Sequence, residues 1–245
     1  MPDAGSLQAT ALIAAAGSGD RLGAGGPKAL VEVAGRPLVA WCLDSFAGAA
    51  SISRAVIAAP AGRESELAAL APAGLEVEVV AGGESRSASV GRALDRADSE
   101  LVAVHDAARP LVTAELIDAV LAKLASRPDA AGAIAAAAIT DTVKRAREPR
   151  PAKGEFERGG PTVARTESRD HLWAAQTPQA FRATALREAL AADPQRVAAA
   201  TDDAMLVEKG GGKILIEPAP PENLKVTTEA DLRIAELLLT KRAGG

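Results

Sequence analysis

Short, nearly continuous apolar runs alternate with amphipathic stretches along most of the chain. Thr10 to Ala16, Arg54 to Ala59, Leu101 to His105 and Gly132 to Ala138 are runs of this kind, which predicts strands buried on both faces. Leu75 to Ala81 alternates in part and predicts a further strand, as does Lys213 to Glu217. Helices are expected between them. Pro37 to Ala47 begins with a proline, whose missing N–H costs little in a first helical turn. Arg63 to Leu70 and Ser85 to Ala97 follow, and another helix begins at Thr113, where Glu115 complements the helix dipole. Arg182 to Ala192, Asp202 to Lys209 and Glu229 to Arg242 complete the set. Repeated β-loop-α units of this kind predict an α/β fold: a Rossmann-like, mostly parallel twisted sheet with helices on both faces. Ligands in such sheets sit beyond the C-terminal ends of the strands.

The rhythm breaks after Ile139. Lys144 to Pro161 is rich in charge, proline and glycine, with hardly an apolar residue. One reading is a solvated loop; the other is the tip of a protruding β-arm. The β-branched residues in Thr140 to Lys144 and Thr162 to Thr166 favour the arm. The chain is therefore read as one domain, 1–245, carrying a β-arm over 139–171 whose tip, 144–161, is expected to be flexible.

Composition narrows the function. A chain of 245 residues can bury a sizeable core without staples. Alanine is abundant and aromatics are scarce, so helices can approach the sheet closely. The net charge of −4 argues against a nucleic-acid-binding surface. A single cysteine, Cys42, excludes a disulfide within the chain and fits a reduced, cytoplasmic setting. Two histidines and one cysteine leave little with which to build a zinc site. Neither a signal peptide nor a run of about 18 apolar residues is seen, so no membrane span is expected.

Four segments carry candidate chemistry. Ala14-Ala15-Ala16-Gly17-Ser18-Gly19-Asp20-Arg21-Leu22, followed by Pro27-Lys28, closes the first strand. Small residues there let backbone N–H groups approach an anion. Arg21 and Lys28 supply the cations that a triphosphate needs. The segment lacks the Gly-Lys-Ser/Thr of a P-loop and departs from the dinucleotide GxGxxG pattern. Gly82-Gly83-Glu84-Ser85-Arg86-Ser87-Ala88-Ser89-Val90 joins a strand to a helix through a glycine turn, whose N–H groups can read a base edge. Val104-His105-Asp106-Ala107-Ala108-Arg109-Pro110 carries an acid to the ligand edge of the sheet. Asn223-Leu224-Lys225-Val226-Thr227 is the last segment.

Together these segments resemble the 2-C-methyl-D-erythritol 4-phosphate cytidylyltransferases, from about Thr10 to Leu239. The resemblance implies a CTP-dependent enzyme of the non-mevalonate isoprenoid pathway. It implies that CMP passes from CTP to methylerythritol phosphate with release of pyrophosphate. It assigns Arg21 and Lys28 to the triphosphate, and Ala14, Ala15, Ala16, Gly17 and Ala107 to the nucleotide. Gly82, Gly83 and Ser89 would recognise cytosine, and Arg86 would brace that pocket. Asp106 would lie near Mg²⁺ and the substrate hydroxyls. Arg109, Thr142, Thr177, Arg169 and Lys225 would bind the acceptor. Thr142 and Arg169 would reach across from a second subunit, the arm clasping its twin to form a homodimer. The segment between Thr142 and Arg169 is longer than is usual for the family.

Plainer readings stay open at several residues. Asp106 could be a helix cap or an ion-pair partner of Arg109. Before Pro110, Arg109 is biased to an extended backbone, which is expected to present its fork outward. His105 reads better as a packed strand-end histidine than as a general base. Lys225, expected at the end of a late strand, could be an ordinary surface lysine. The rival functions are a ribitol-5-phosphate cytidylyltransferase, a sugar-1-phosphate nucleotidyltransferase using another base, and a non-catalytic nucleotide-binding protein on the same fold.

Overall fold

The computed structural model describes residues 7–19, 26–147 and 161–243. Strand β1 (Ala9–Ala14) leads into a 3-10 turn at Lys28–Leu30, then the two-residue strands β2 (Glu32–Val33) and β3 (Arg36–Pro37). Helix α1 (Leu38–Gly48), strand β4 (Ile52–Ala59), helix α2 (Glu64–Ala68) and strand β5 (Glu76–Ala81) follow. Next come α3 (Arg86–Leu94), β6 (Leu101–Asp106), α4 (Ala114–Ala125) and β7 (Gly132–Ala138). The arm holds β8 (Lys144–Ala146) and β9 (Val163–Thr166), and the chain re-enters the sheet through β10 (Trp173–Arg182). Helices α5 (Ala183–Leu190), α6 (Pro194–Ala198) and α7 (Asp203–Lys209), strand β11 (Ile214–Pro218) and helix α8 (Glu229–Ala243) complete the fold.

The main sheet runs β11-β7-β10-β6-β1-β4-β5. Every neighbouring pair in it is parallel except those of β10, which lies antiparallel between β6 and β7. Strand alternation explains the two cores. Ala11 and Ile13 of β1 face a core shared with α1 and α4, while Leu12 faces one shared with α3, α5 and α7. The expected sheet with helices on both faces is present. From β1 the chain first builds outward through β4 and β5, then returns to place β6 on the other side. The gap between β1 and β6 is thus the switch point where ligands bind in such sheets. Ala14 and Asp106 lie side by side there, as register partners at the ends of β1 and β6.

Four expectations need correction. Strand β10 was not anticipated, because a proline inside WAAQTPQAFR argues against a central strand. The strand accommodates Pro178 by an irregularity: its pairing with β7 shifts between Ala175 and Gln179. The first arm strand is Lys144–Ala146, not 140–144, because its register is set by Lys144 opposite Thr166. Residues 144–146 therefore belong to the paired arm and not to its tip, and 148–160 of the expected tip lie outside the described residues. Lys225 sits on no strand. Strand β11 ends at Pro218, and the segment around Lys225 is held by Val226 N–H donating to Ala108 O at 2.8 Å.

Candidate active site

A cleft of about 500 Å³ opens at the switch point, within the size range of small-molecule sites. Its floor is the end of β1. Ala15 N–H donates to Ala58 O at 3.0 Å, and Ala107 N–H donates to Ala14 O at 3.1 Å, so the strand edges stay tied as they diverge. The glycine-rich loop returns to the cleft where Lys28 N–H donates to Gly17 O at 3.1 Å. Lys28 therefore lines the cleft together with Ala14, Ala15, Ala16, Gly17 and Ser18. Gly19 has φ +80°, and a Cβ there would stand 2.8 Å from Gly26 O; only glycine takes that turn without strain. Arg21 lies outside the described residues.

The opposite wall is built by the turn into α3. Gly82 N–H donates to Ala59 O at 2.7 Å. A Cβ on Gly82 would collide with the Ala16 Cβ and stand 2.9 Å from Ala59 O, so this glycine serves close packing of two site loops. Ser89 Oγ donates to Ser85 O and accepts from Gly83 N–H. Its hydroxyl thereby fixes the turn, and Arg92, not anticipated, holds the Gly82 carbonyl from outside at 2.6 Å. Gly82→Ala is expected to destabilise the fold by about 2 kcal/mol through overpacking. Urea unfolding checks this; an unchanged midpoint would contradict the close approach.

Charged groups at the cleft floor form one network. Asp106, nearly buried at the end of β6, accepts from Arg86 Nε on Oδ1 at 2.8 Å and from Lys225 Nζ on Oδ2 at 2.7 Å. Burial opposes its charge, but Arg86 and Lys225 outweigh that and hold its carboxyl well below the usual range. Arg86 also donates through Nη1 to Asp203 Oδ2 at 2.6 Å. Burial likewise opposes the Arg86 charge, yet the two carboxylates hold the guanidinium more firmly protonated than usual. Among the described residues the ion-pair partners of Asp106 are thus Arg86 and Lys225, not Arg109.

Arg109 points inward, correcting the expected outward fork. It donates to Asn223 O at 2.8 Å and to Ala175 O at 3.4 Å, tying β10 to the segment that carries Lys225. His105 is fully buried. Its Nε2 lies 3.2 Å from Arg109 O, which can only accept, so Nε2 carries the proton. Nδ1 then accepts from Thr177 Oγ1 at 3.0 Å, and that hydroxyl oxygen accepts from Asp106 N–H at 3.1 Å. The pairing irregularity in β10 leaves Thr177 placed for both bonds. Burial pushes the His105 imidazole down to about 4, and its edge-to-face contact with Phe46 at 5.2 Å completes a packed setting. His105 is a structural histidine.

The structure brings Ala14, Ala15, Ala16, Gly17, Lys28, Gly83, Arg86, Ser89, Asp106, Ala107 and Lys225 to the main cleft. A second cavity of about 200 Å³ adjoins it through Arg86, Asp106 and Lys225 and is lined also by Arg109, Thr177, Gln179 and Asp202. Thr142 and Arg169 are exposed on the arm and line neither cavity. Asp203 was missed altogether: an Asp-Asp pair at a helix start reads as capping residues.

Among the described residues no three His, Cys, Asp or Glu side chains gather to hold a metal. Among the described residues, the carboxylates lining the cleft are Asp106 and the exposed Glu84. That donor set suits a hard ion that arrives with phosphate and water as its other ligands.

The glycine-rich stretch after β1, Lys28 and the Arg86–Asp106–Lys225 cluster share one cleft at the switch point, an arrangement that suits a nucleotidyltransferase, an enzyme that transfers a nucleotidyl group from a nucleoside triphosphate. Comparison with known proteins is more specific. The family model described as 2-C-methyl-D-erythritol 4-phosphate cytidylyltransferase matches residues 9–241, and the chain belongs to that family. The enzyme of that name from Deinococcus radiodurans is 38% identical, over 100% of this chain and 95% of its own. The one from Frankia casuarinae is 41% identical, over 96% of this chain and 83% of its own. The crystal structure of the Thermus thermophilus enzyme superposes with a TM-score of 0.74 at 33% identity, covering 95% of this chain and 99% of that one.

Proposed function

We propose that the chain transfers CMP from CTP to 2-C-methyl-D-erythritol 4-phosphate. A phosphate oxygen of the acceptor attacks the α-phosphorus in line, forming a new P–O–P link. The bond from the α-phosphorus to the bridging oxygen breaks, and pyrophosphate leaves with its electron pair. The acceptor is already anionic near neutral pH, so no strong base is required. The observation that carries this reading is the placement of Lys28 on the same cleft as the Arg86–Asp106–Lys225 cluster. Catalysis is then positioning and charge neutralisation.

In this reading Lys28 and Arg21 hold the triphosphate, the Gly82–Gly83 turn and Ser89 form the cytosine pocket, and Ala14 to Gly17 with Ala107 line the nucleoside. Lys225 and Arg109 sit on the acceptor side with Thr177. Asp106 is the side chain that would meet Mg²⁺, which when bound offsets charge on the reacting phosphates. Pyrophosphate release from CTP with Mg²⁺ and methylerythritol phosphate tests the assignment. Ribitol 5-phosphate as acceptor, and UTP, GTP and ATP as donors, are the controls. Equal or faster turnover with ribitol phosphate overturns the acceptor.

The arm supports a homodimer in which Thr142 and Arg169 reach the partner's acceptor site, since both are exposed and line neither of the two cavities described above. Arg169→Ala is expected to raise the acceptor KM about tenfold, the loss of one charge-assisted contact. An unchanged acceptor KM counts against the arm contact. A single buried thiol, Cys42, is consistent with work in the cytoplasm.

A further inference from the structure

Asp203 is the most deeply buried acid of the site, with no exposed surface. Its Oδ2 receives Arg86 Nη1, and its Oδ1 has no hydrogen-bond partner among the described residues. Burial pushes its carboxyl above the ordinary range, against the pull of Arg86. A half-satisfied buried carboxylate disfavours folding, and an apolar residue of similar size is often at least as stabilising. Stability alone therefore does not account for a charge at this position.

Its surroundings fix where that charge lies. Gln179 of β10 accepts from Ala204 N–H at 3.2 Å and donates to Asp202 Oδ2 at 2.9 Å. Asp202 in turn caps Met205 N–H at 2.9 Å. The start of α7 is thereby clamped to the sheet, with Asp203 turned toward α3. Arg86 is the first residue of α3 and keeps 28% of its side chain exposed at the cleft. A long side chain at that place, held at only one point, is free to swing to an incoming triphosphate. Two carboxylates on two nitrogens of one planar fork remove that freedom.

We propose that Asp203 is a positioning residue for the transfer reaction: it clamps Arg86 so that the guanidinium braces Asp106 and leaves the triphosphate to Lys28. The role rests on the functional reading above and adds to it a residue that lines neither cavity. Lys225, with 38% of its side chain exposed, is the partner of Asp106 that can leave for an anionic substrate. Arg86, anchored by Asp203, is the partner that stays.

The test is pyrophosphate release by Asp203→Asn, normalised to CTP-binding sites counted by calorimetry. The expected result is a kcat lowered about tenfold or more with a CTP KM changed less than threefold. In an Arg86→Gln background, Asp203→Asn should lower kcat no further, since its effect passes through Arg86. A normal kcat per binding site, whatever the melting temperature, overturns the proposal, and so do losses that multiply in the double variant. If Asp203→Asn does not fold, Arg86→Lys serves: one ammonium cannot reproduce the fork, so the same tenfold loss is expected, and full activity overturns the role. Absence of turnover in the unaltered chain instead refutes the functional reading, which separates the two failures.

Discussion

Lys28→Ala is expected to lower kcat about a hundredfold or more, equivalent to about 3 kcal/mol of transition-state stabilisation. The reaction offers the protein little covalent work. An anion attacks a phosphorus already surrounded by anionic oxygens, and the leaving pyrophosphate gains charge as its bond breaks. A cation held where that charge develops acts on the transition state more than on the bound substrate. Lys28 meets this condition because its backbone is pinned to Gly17 O and its residue lines the cleft beside the loop that follows β1. Lys28 is also the first residue of the 3-10 turn Lys28–Leu30. Steady-state pyrophosphate release, with CTP affinity measured separately, separates the outcomes. A fall in kcat and kcat/KM together is the expected signature, whereas a rise in KM alone would make Lys28 an anchor that binds substrate and transition state equally. Near-normal turnover would remove Lys28 from the mechanism.

The parts of this site that the sequence made legible are those built from local backbone. The apolar runs now seen as β1, β4, β6 and β7 are buried on both faces, so their hydrophobicity announces them without alternation. The residues that follow β1 and β6 then fall at the ligand edge by topology alone, which is why Ala14 to Lys28 and Asp106 could be placed. What stayed hidden depends on partners distant in sequence. Asp203 pairs with a residue 117 positions away, and nothing in its own neighbourhood distinguishes it from Asp202, which caps the same helix. The inward fork of Arg109 depends on carbonyls 114 and 66 residues further along. Strand β10 was obscured by its own proline, since the irregularity that tolerates Pro178 is visible only against its pairing partners. Thr177 lies within the same irregularity, so the family resemblance could point to it while its two hydrogen bonds could not be read from sequence.

The second large effect expected is on folding, and it comes from His105. Unfolded, this imidazole takes up a proton near 6.5; folded, burial holds it neutral down to about 4. Between those values the unfolded chain binds the extra proton, so stability rises with pH across the window and falls on acidification. The contribution is fully present above about pH 6.5 and amounts to about 3 kcal/mol, most of it lost by about pH 4.5. The geometry accounts for the size. Nε2 already donates to Arg109 O and Nδ1 accepts from Thr177, so a second ring proton would meet a hydroxyl turned toward it, in a site with no exposure to water. Asp106 favours the charged ring, but less than burial opposes it. Asp203, whose carboxyl is raised by burial, acts in the opposite sense, so the bare pH profile of the protein mixes the two. Comparison with His105→Gln isolates the histidine. Urea unfolding midpoints of both proteins, taken from pH 7.5 to 4.5, should show the unaltered chain losing its margin over the variant as pH falls. A margin that stays constant over that range would mean that His105 titrates alike folded and unfolded, and that the buried neutral ring is wrongly assigned.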